Sequence, residues 1–146
     1  MTELATRIAA LRATTAFGAL SEEELKIIAL CLHEHHFAAR QVVCEEGQRG
    51  EALYVLVEGR IELASAANQQ SLRTLEPGEV FGEVSLLAAE PYALTAVALT
   101  PAQLLSLDRE TLNALINYYP SMALGLMQAL ALRLSQTANL LQKDWV

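Results

Sequence analysis

Positive charge is scarce in this sequence and missing from its middle: no Lys, Arg or His occurs between Thr74 and Asp108. Across 146 residues, 10 Lys and Arg stand against 17 Asp and Glu, a formal net charge of −7. That balance opposes non-specific nucleic-acid binding, which depends on cations to neutralise phosphates. Cysteine is sparser still. Cys31 and Cys44 lack C-x-x-C spacing, which argues against a disulfide framework and fits a reduced cytoplasm. The N-terminus carries Glu3, Arg7 and Arg12, so it has no unbroken apolar core of the kind a signal peptide needs. No internal repeat, low-complexity tract or Ser/Gly linker is present. One long stretch, Thr111 to Leu132, is uncharged, but Asn113, Asn117, Ser121 and Gln128 interrupt it and Pro120 divides it into two helices. A membrane span is not expected there.

What remains is ample for one globular domain, with 53% hydrophobic residues. Helical spacing of Leu4, Ile8 and Leu11 predicts a short helix over 3–12. Ser21-Glu22-Glu23-Glu24 is a capping box, and Leu25, Ile28, Ala29 and Leu32 supply a buried face behind it. After His33 the period shortens to that of strands. Arg40–Cys44, Leu53–Glu58, Arg60–Ala64, Ser71–Leu75, Thr95–Leu99 and Gln103–Asp108 are predicted strands. Leu53–Val57 is a continuous apolar run, implying burial on both faces. Glu58-Gly59 and Glu76-Pro77-Gly78-Glu79 are turns, and Ala67-Asn68-Gln69 is a loop. Asp108 is a candidate N-cap for Arg109–Tyr118, and Pro120 begins the last helix. Along that helix Ala123, Met127, Leu130, Leu134, Thr137 and Leu141 form a heptad seam. The fold class expected is α+β: a closed or two-sheet antiparallel β-structure over 33–108, N-terminal helices over 1–32, and C-terminal helices over 109–146, the last of them long.

Three stretches carry a resemblance. Glu46-Gly47 through Leu63, Leu75-Glu-Pro-Gly-Glu-Val-Phe-Gly-Glu-Val-Ser-Leu-Leu87, and Pro91-Tyr-Ala-Leu-Thr-Ala96 together resemble the cyclic-nucleotide-binding domain family, nearest its catabolite-activator type. The similarity runs from about Phe17 to Leu141, with motifs in family order. It implies an eight-stranded jelly roll holding a ligand. By that resemblance Gly82-Glu83 matches the glutamate that grips the ribose, and Val84–Leu87 the short helix whose N–H groups face the phosphate. Ser85 falls where a small residue is usual. Phe81, Tyr92 and Ala93 complete the implied ligand-binding set, with Thr137 on the last helix as a contact to the purine. Gly47 and Gly59 match turn glycines. Met127, Leu130, Leu134, Thr137 and Leu141 match the helix that pairs two subunits, so a homodimer is expected.

The departure is Tyr92. The family's phosphate-binding arginine follows the proline, and here a tyrosine does. Losing one partner of a buried charge pair costs about 2–5 kcal/mol. A phenol returns about 0.5–1.5 kcal/mol, and a helix start at most about 2 kcal/mol. The expectation is a regulatory module that binds cyclic AMP or cyclic GMP weakly or not at all. No cofactor, metal or catalytic residue is expected beyond a doubtful cyclic-nucleotide ligand, and no enzyme activity is expected. The rival readings are a working cyclic-nucleotide sensor, a purely structural dimerisation module with a larger protein partner, and a cupin-like metal enzyme. The last rests on His33-Glu34-His35-His36, where imidazoles two apart share a strand face. Nucleophilic chemistry is weaker: Ser85 sits in no G-x-S-x-G, and Cys31 falls on a buried helix face. The sequence stops at Lys143-Asp144-Trp145-Val146, leaving no helix-turn-helix after the long helix, so no DNA partner is expected.

Overall fold

The computed structural model describes residues 3–65 and 70–143; the Ala67–Gln69 loop lies outside the described residues. Helices α1 (Leu4–Arg12) and α2 (Glu22–Leu30) open the chain. The capping box forms as the sequence predicts: Glu24 N–H donates to Ser21 Oγ at 3.2 Å and Ser21 N–H to Glu24 Oε1 at 3.0 Å. Two donors left unpaired by the start of α2 are thereby satisfied. Its other end is served by Arg7 of α1, which donates to Ala29 O at 3.1 Å and Leu32 O at 3.0 Å. Cys31 stands just past that end, partly buried, rather than on the buried helix face.

Eight described strands follow: β1 (His33–Phe37), β2 (Val42–Cys44), β3 (Ala52–Glu58), β4 (Ile61–Ser65), β5 (Gln70–Leu75), β6 (Val80–Phe81), β7 (Thr95–Ala98) and β8 (Ala102–Asp108). They form two four-stranded antiparallel sheets, ordered β1-β8-β3-β6 and β2-β7-β4-β5. The jelly roll and the α+β class are therefore as expected. Strand boundaries shift by one or two residues, and β1 and β6 were not among the predicted strands. The predicted strand from Arg40 starts only at Val42, because Arg40 adopts a left-handed φ of 73° and ends the preceding turn. Val80-Phe81 pairs with Val55 and Tyr54 as a two-residue strand where no strand was predicted.

The apolar run on β3 is explained by burial on both sides. Leu53 and Val55 on β3, with Leu105 and Leu107 on β8, pack against Phe17, Leu25 and Ile28 of the helical layer. Leu56 and Leu104 face the other way, into a core between the sheets with Ile61, Leu75, Phe81 and Tyr92. After β8, Asp108 Oδ1 accepts from Thr111 N–H at 2.7 Å and caps α4 (Arg109–Tyr118). Pro120 then opens α5 (Pro120–Lys143). Met122, Leu126 and Ala129 hold α5 to the domain, whereas Met127, Leu130, Leu134 and Leu141 remain exposed. Among the described residues no helix is long and apolar enough to cross a membrane.

Candidate functional site

Between β6 and β7 the chain makes a compact excursion. Gly82 turns it with a left-handed φ of 85°, and a β-carbon there would lie 2.8 Å from Ala52 O. Only glycine lets the turn sit this close to β3. The short helix α3 (Glu83–Ala88) follows at once. Opposite it, a β-carbon at Gly50 would come within 2.2 Å of Ser85 Cβ, so the β2–β3 loop lies directly against α3.

This excursion and the sheet behind it enclose a cleft of about 240 Å³. Phe81, Gly82, Glu83, Val84, Ser85, Tyr92 and Ala93 all line it, so these predicted residues are brought together. Thr137 is not among the lining residues. It is exposed on α5, and its Oγ1 donates to Arg133 O at 2.9 Å within its own helix. Arg133, one turn earlier on α5, is the residue that reaches the cleft, donating to Glu83 Oε1 at 2.9 Å.

Tyr92 is 8% exposed, its ring packed into the core between the sheets. Its hydroxyl donates to Ala52 O at 2.8 Å and accepts from Ala52 N–H at 3.3 Å. The register of the sheet explains this. Along that edge of β3, Leu56 exchanges hydrogen bonds with Glu79 and Gly78, while Tyr54 and Val55 pair with β6. At Ala52 the neighbouring strand has run out, and the phenol takes its place. Burial, partly offset by the bond to Ala52, pushes this hydroxyl up to about 12, so it stays protonated. Ser85 is likewise turned inward, its Oγ donating to Pro91 O at 3.2 Å.

The acidic character that the stretch 74–108 shows in sequence does not describe the assembled cleft. Arg73, one residue outside that stretch on β5, and Arg133 both line it. The sequence expectation that nothing there answers a negative charge is corrected by these two guanidinium groups. Each has a carboxylate neighbour: Arg73 bonds Glu79, and Arg133 bonds Glu83. Arg109 was also unforeseen. From the first position of α4 it donates to Leu86 O at 3.1 Å, Gly50 O at 2.6 Å and Ser85 O at 2.7 Å, bracing α3 from behind. One signal for Arg133 was visible: it is the first charge after the uncharged run from Thr111. His33 and His35 share one face of β1, towards Asp108 and Ser106, while His36 turns to the other side towards Glu34. Among the described residues no group of three His, Cys, Asp or Glu could hold a metal ion.

A glutamate at the mouth of a short helix, beneath a jelly roll with a long helix crossing it, is the arrangement the resemblance implied. The family profile for the cyclic nucleotide-binding domain matches residues 34–119. The chain belongs to that family. A cyclic AMP receptor protein from Thermus thermophilus is 31% identical over 129 residues, spanning 86% of this chain and 60% of that protein. The N-terminal domain of a transcriptional regulator from Streptomyces coelicolor A3(2) superposes with a TM-score of 0.82 at 31% identity, covering 90% of this chain and 94% of that one. The regulatory domain of PKA from Toxoplasma gondii, solved with cAMP, gives a TM-score of 0.73 at 28% identity, covering 77% of this chain and 44% of that one. The chain spans 60% and 47% of the first curated regulators it matches.

Proposed function

We propose that this chain is a non-enzymatic ligand-sensing module of the cytoplasm whose cleft binds cyclic AMP or cyclic GMP weakly or not at all. The observation that carries this is the position of the Tyr92 hydroxyl, fastened to both backbone groups of Ala52 instead of facing the cleft. A phosphate seated against α3 would find no cation from the residue after the proline. The Ser85 hydroxyl is directed to Pro91 O. The helix itself has six residues, and its N–H groups favour an anion by at most about 2 kcal/mol. That is less than the about 2–5 kcal/mol expected from a buried charge partner.

A second reading has its own support. Arg73 and Arg133 line the cleft with Glu83, so exchange of their carboxylate partners for a phosphate would make the site a working sensor. Both are more than half exposed, with side-chain exposures of 59% and 54%, so solvent screening weakens what each contributes. Under either reading the mechanism is a population shift: an occupant that breaks the Glu83–Arg133 pair biases α5 relative to the roll. Calorimetric titration of the unmodified protein and of Tyr92→Arg with both cyclic nucleotides separates the two. Binding by the variant alone supports the degenerate cleft, provided its melting temperature shows it folded. Low-micromolar binding by the unmodified protein, lost in Arg133→Gln, establishes the second reading instead.

The exposed side of α5 supports assembly. Met127, Leu130, Leu134 and Leu141 are solvent-facing at heptad spacing while other residues of the helix hold it to its own domain. An apolar stripe of this kind suits a second copy of the chain, or a larger protein partner.

A further inference from the structure

The inner face of the sheet β1-β8-β3 changes character along its length. At one end it presents Leu56, Ala102 and Leu104 to the core between the sheets. At the other, the same inward positions hold His33 and His35 on β1, Tyr54 on β3, and Ser106 and Asp108 on β8, paired in register as His33↔Ser106, Tyr54↔Ser106 and Ala52↔Asp108. These residues open onto a cavity of about 660 Å³, closed on its far side by β2 and the β2–β3 loop. Ser106 is buried and His35, Tyr54 and Asp108 are half-buried, while His33 is exposed, so this polar end of the roll is reached from solvent. Some are satisfied internally: His35 Nε2 and Ser106 Oγ are 2.8 Å apart.

We propose that this polar end of the roll is a second small-molecule site, taking a neutral, flat heteroaromatic molecule. The lining dictates the class. Aromatic surface comes from Tyr54, stacked on Phe81 at 5.2 Å and edge-on to His35 at 5.9 Å, which suits a planar ring. Charged residues stand only at the mouth, and they answer one another: Arg49 with Glu51 at 3.5 Å, His33 with Asp108 at 4.0 Å. Deeper in, Cys44, Tyr54, Tyr92 and Ser106 are neutral, and burial lowers the pKa of His35. A charged guest would enter unpaired. A neutral one with hydrogen-bonding edges meets donors and acceptors of its own kind.

The site is independent of what occupies the family cleft, yet the two stand back to back. Cys44 and Tyr92 line both. Tyr92 N–H donates to Gln48 O, and Gly47 N–H donates to Tyr92 O, both at 2.9 Å, so the loop over the second cavity is tied to the chain entering β7. The test is an amide-shift NMR titration of the full chain with nicotinamide, which is neutral and flat, beside nicotinate, which has the same ring and a negative charge. Nicotinamide is expected to shift His35, Cys44, Tyr54 and Ser106 saturably, with nicotinate about ten-fold weaker or more. Ser106→Leu, which fills the cavity, is expected to weaken nicotinamide by about ten-fold. Tyr54→Phe, which keeps the ring and the fold, is expected to weaken it a few-fold (roughly one hydrogen bond). No saturable shifts, equal binding of the two probes, or shifts centred on Gly82–Ser85 would overturn the proposal.

Discussion

Tyr92 concentrates two roles in one side chain. Its ring separates the family cleft from the second cavity, and its hydroxyl completes the edge of β3 at Ala52. Tyr92→Phe keeps the ring and strands a part-buried N–H and C=O, so it is expected to lower stability by about 1 kcal/mol or more, read by denaturant unfolding. His35 sets a pH dependence of known sign. Burial first, and then the neighbouring His33, hold its pKa below the ordinary 6.5. The unfolded chain therefore binds the proton more readily, so this contribution is complete above about pH 6.5 and declines as the pH falls below it. Asp108 and Glu24 are also depressed, Asp108 by its hydrogen bonds to Thr111 and Glu24 by its bonds to Ser21 and Ser121. Their share is present above their ordinary values and is lost further into acid. Unfolding midpoints measured across pH are expected to fall in these two stages, with His35→Gln flattening the upper one. That Tyr92 departs from the family was legible from one position after Pro91. Where its hydroxyl goes was not, because Ala52 lies forty residues earlier in the chain.

At the scale of elements, α3 is too short to hold itself. A six-residue helix makes few internal hydrogen bonds, and isolated helices of this length are unstable in water. Arg109 supplies the missing restraint by gripping carbonyls at Ser85 and Leu86 together with Gly50. Arg109→Met is expected to speed amide hydrogen exchange at Leu86 and Glu90 by about ten-fold or more, as loss of hydrogen bonds from a charged donor implies. Arg109→Lys should restore part of the protection, since one ammonium cannot reach three carbonyls in a fixed fork. Local signals served well where an element is specified by its own residues: the Ser21–Glu24 capping box and the Asp108 cap were both readable. They failed for β6, which exists only because Tyr54 and Val55 offer it an edge.

At the scale of the molecule, α5 divides its faces between two tasks. Met122, Leu126 and Ala129 dock it, and Met127, Leu130 and Leu134 stay exposed, the face proposed above for assembly. Sedimentation across a concentration series is expected to show a dimer, with Leu134→Glu shifting it to a monomer of 15.9 kDa. A monomer for the unmodified protein at every concentration would count against assembly through this face.

The alternation of periods, the turns and the caps determined by themselves an antiparallel β-structure between helices, since each such signal acts over a few neighbouring residues; the family resemblance made it a jelly roll. The family resemblance, and not these local signals, marked Glu83 and the tyrosine that follows Pro91. The charge of the cleft was decided only in three dimensions. Arg73 and Arg133 lie outside the acidic stretch in sequence, and electrostatic interaction depends on distance through space, which the sheet register and the course of α5 set.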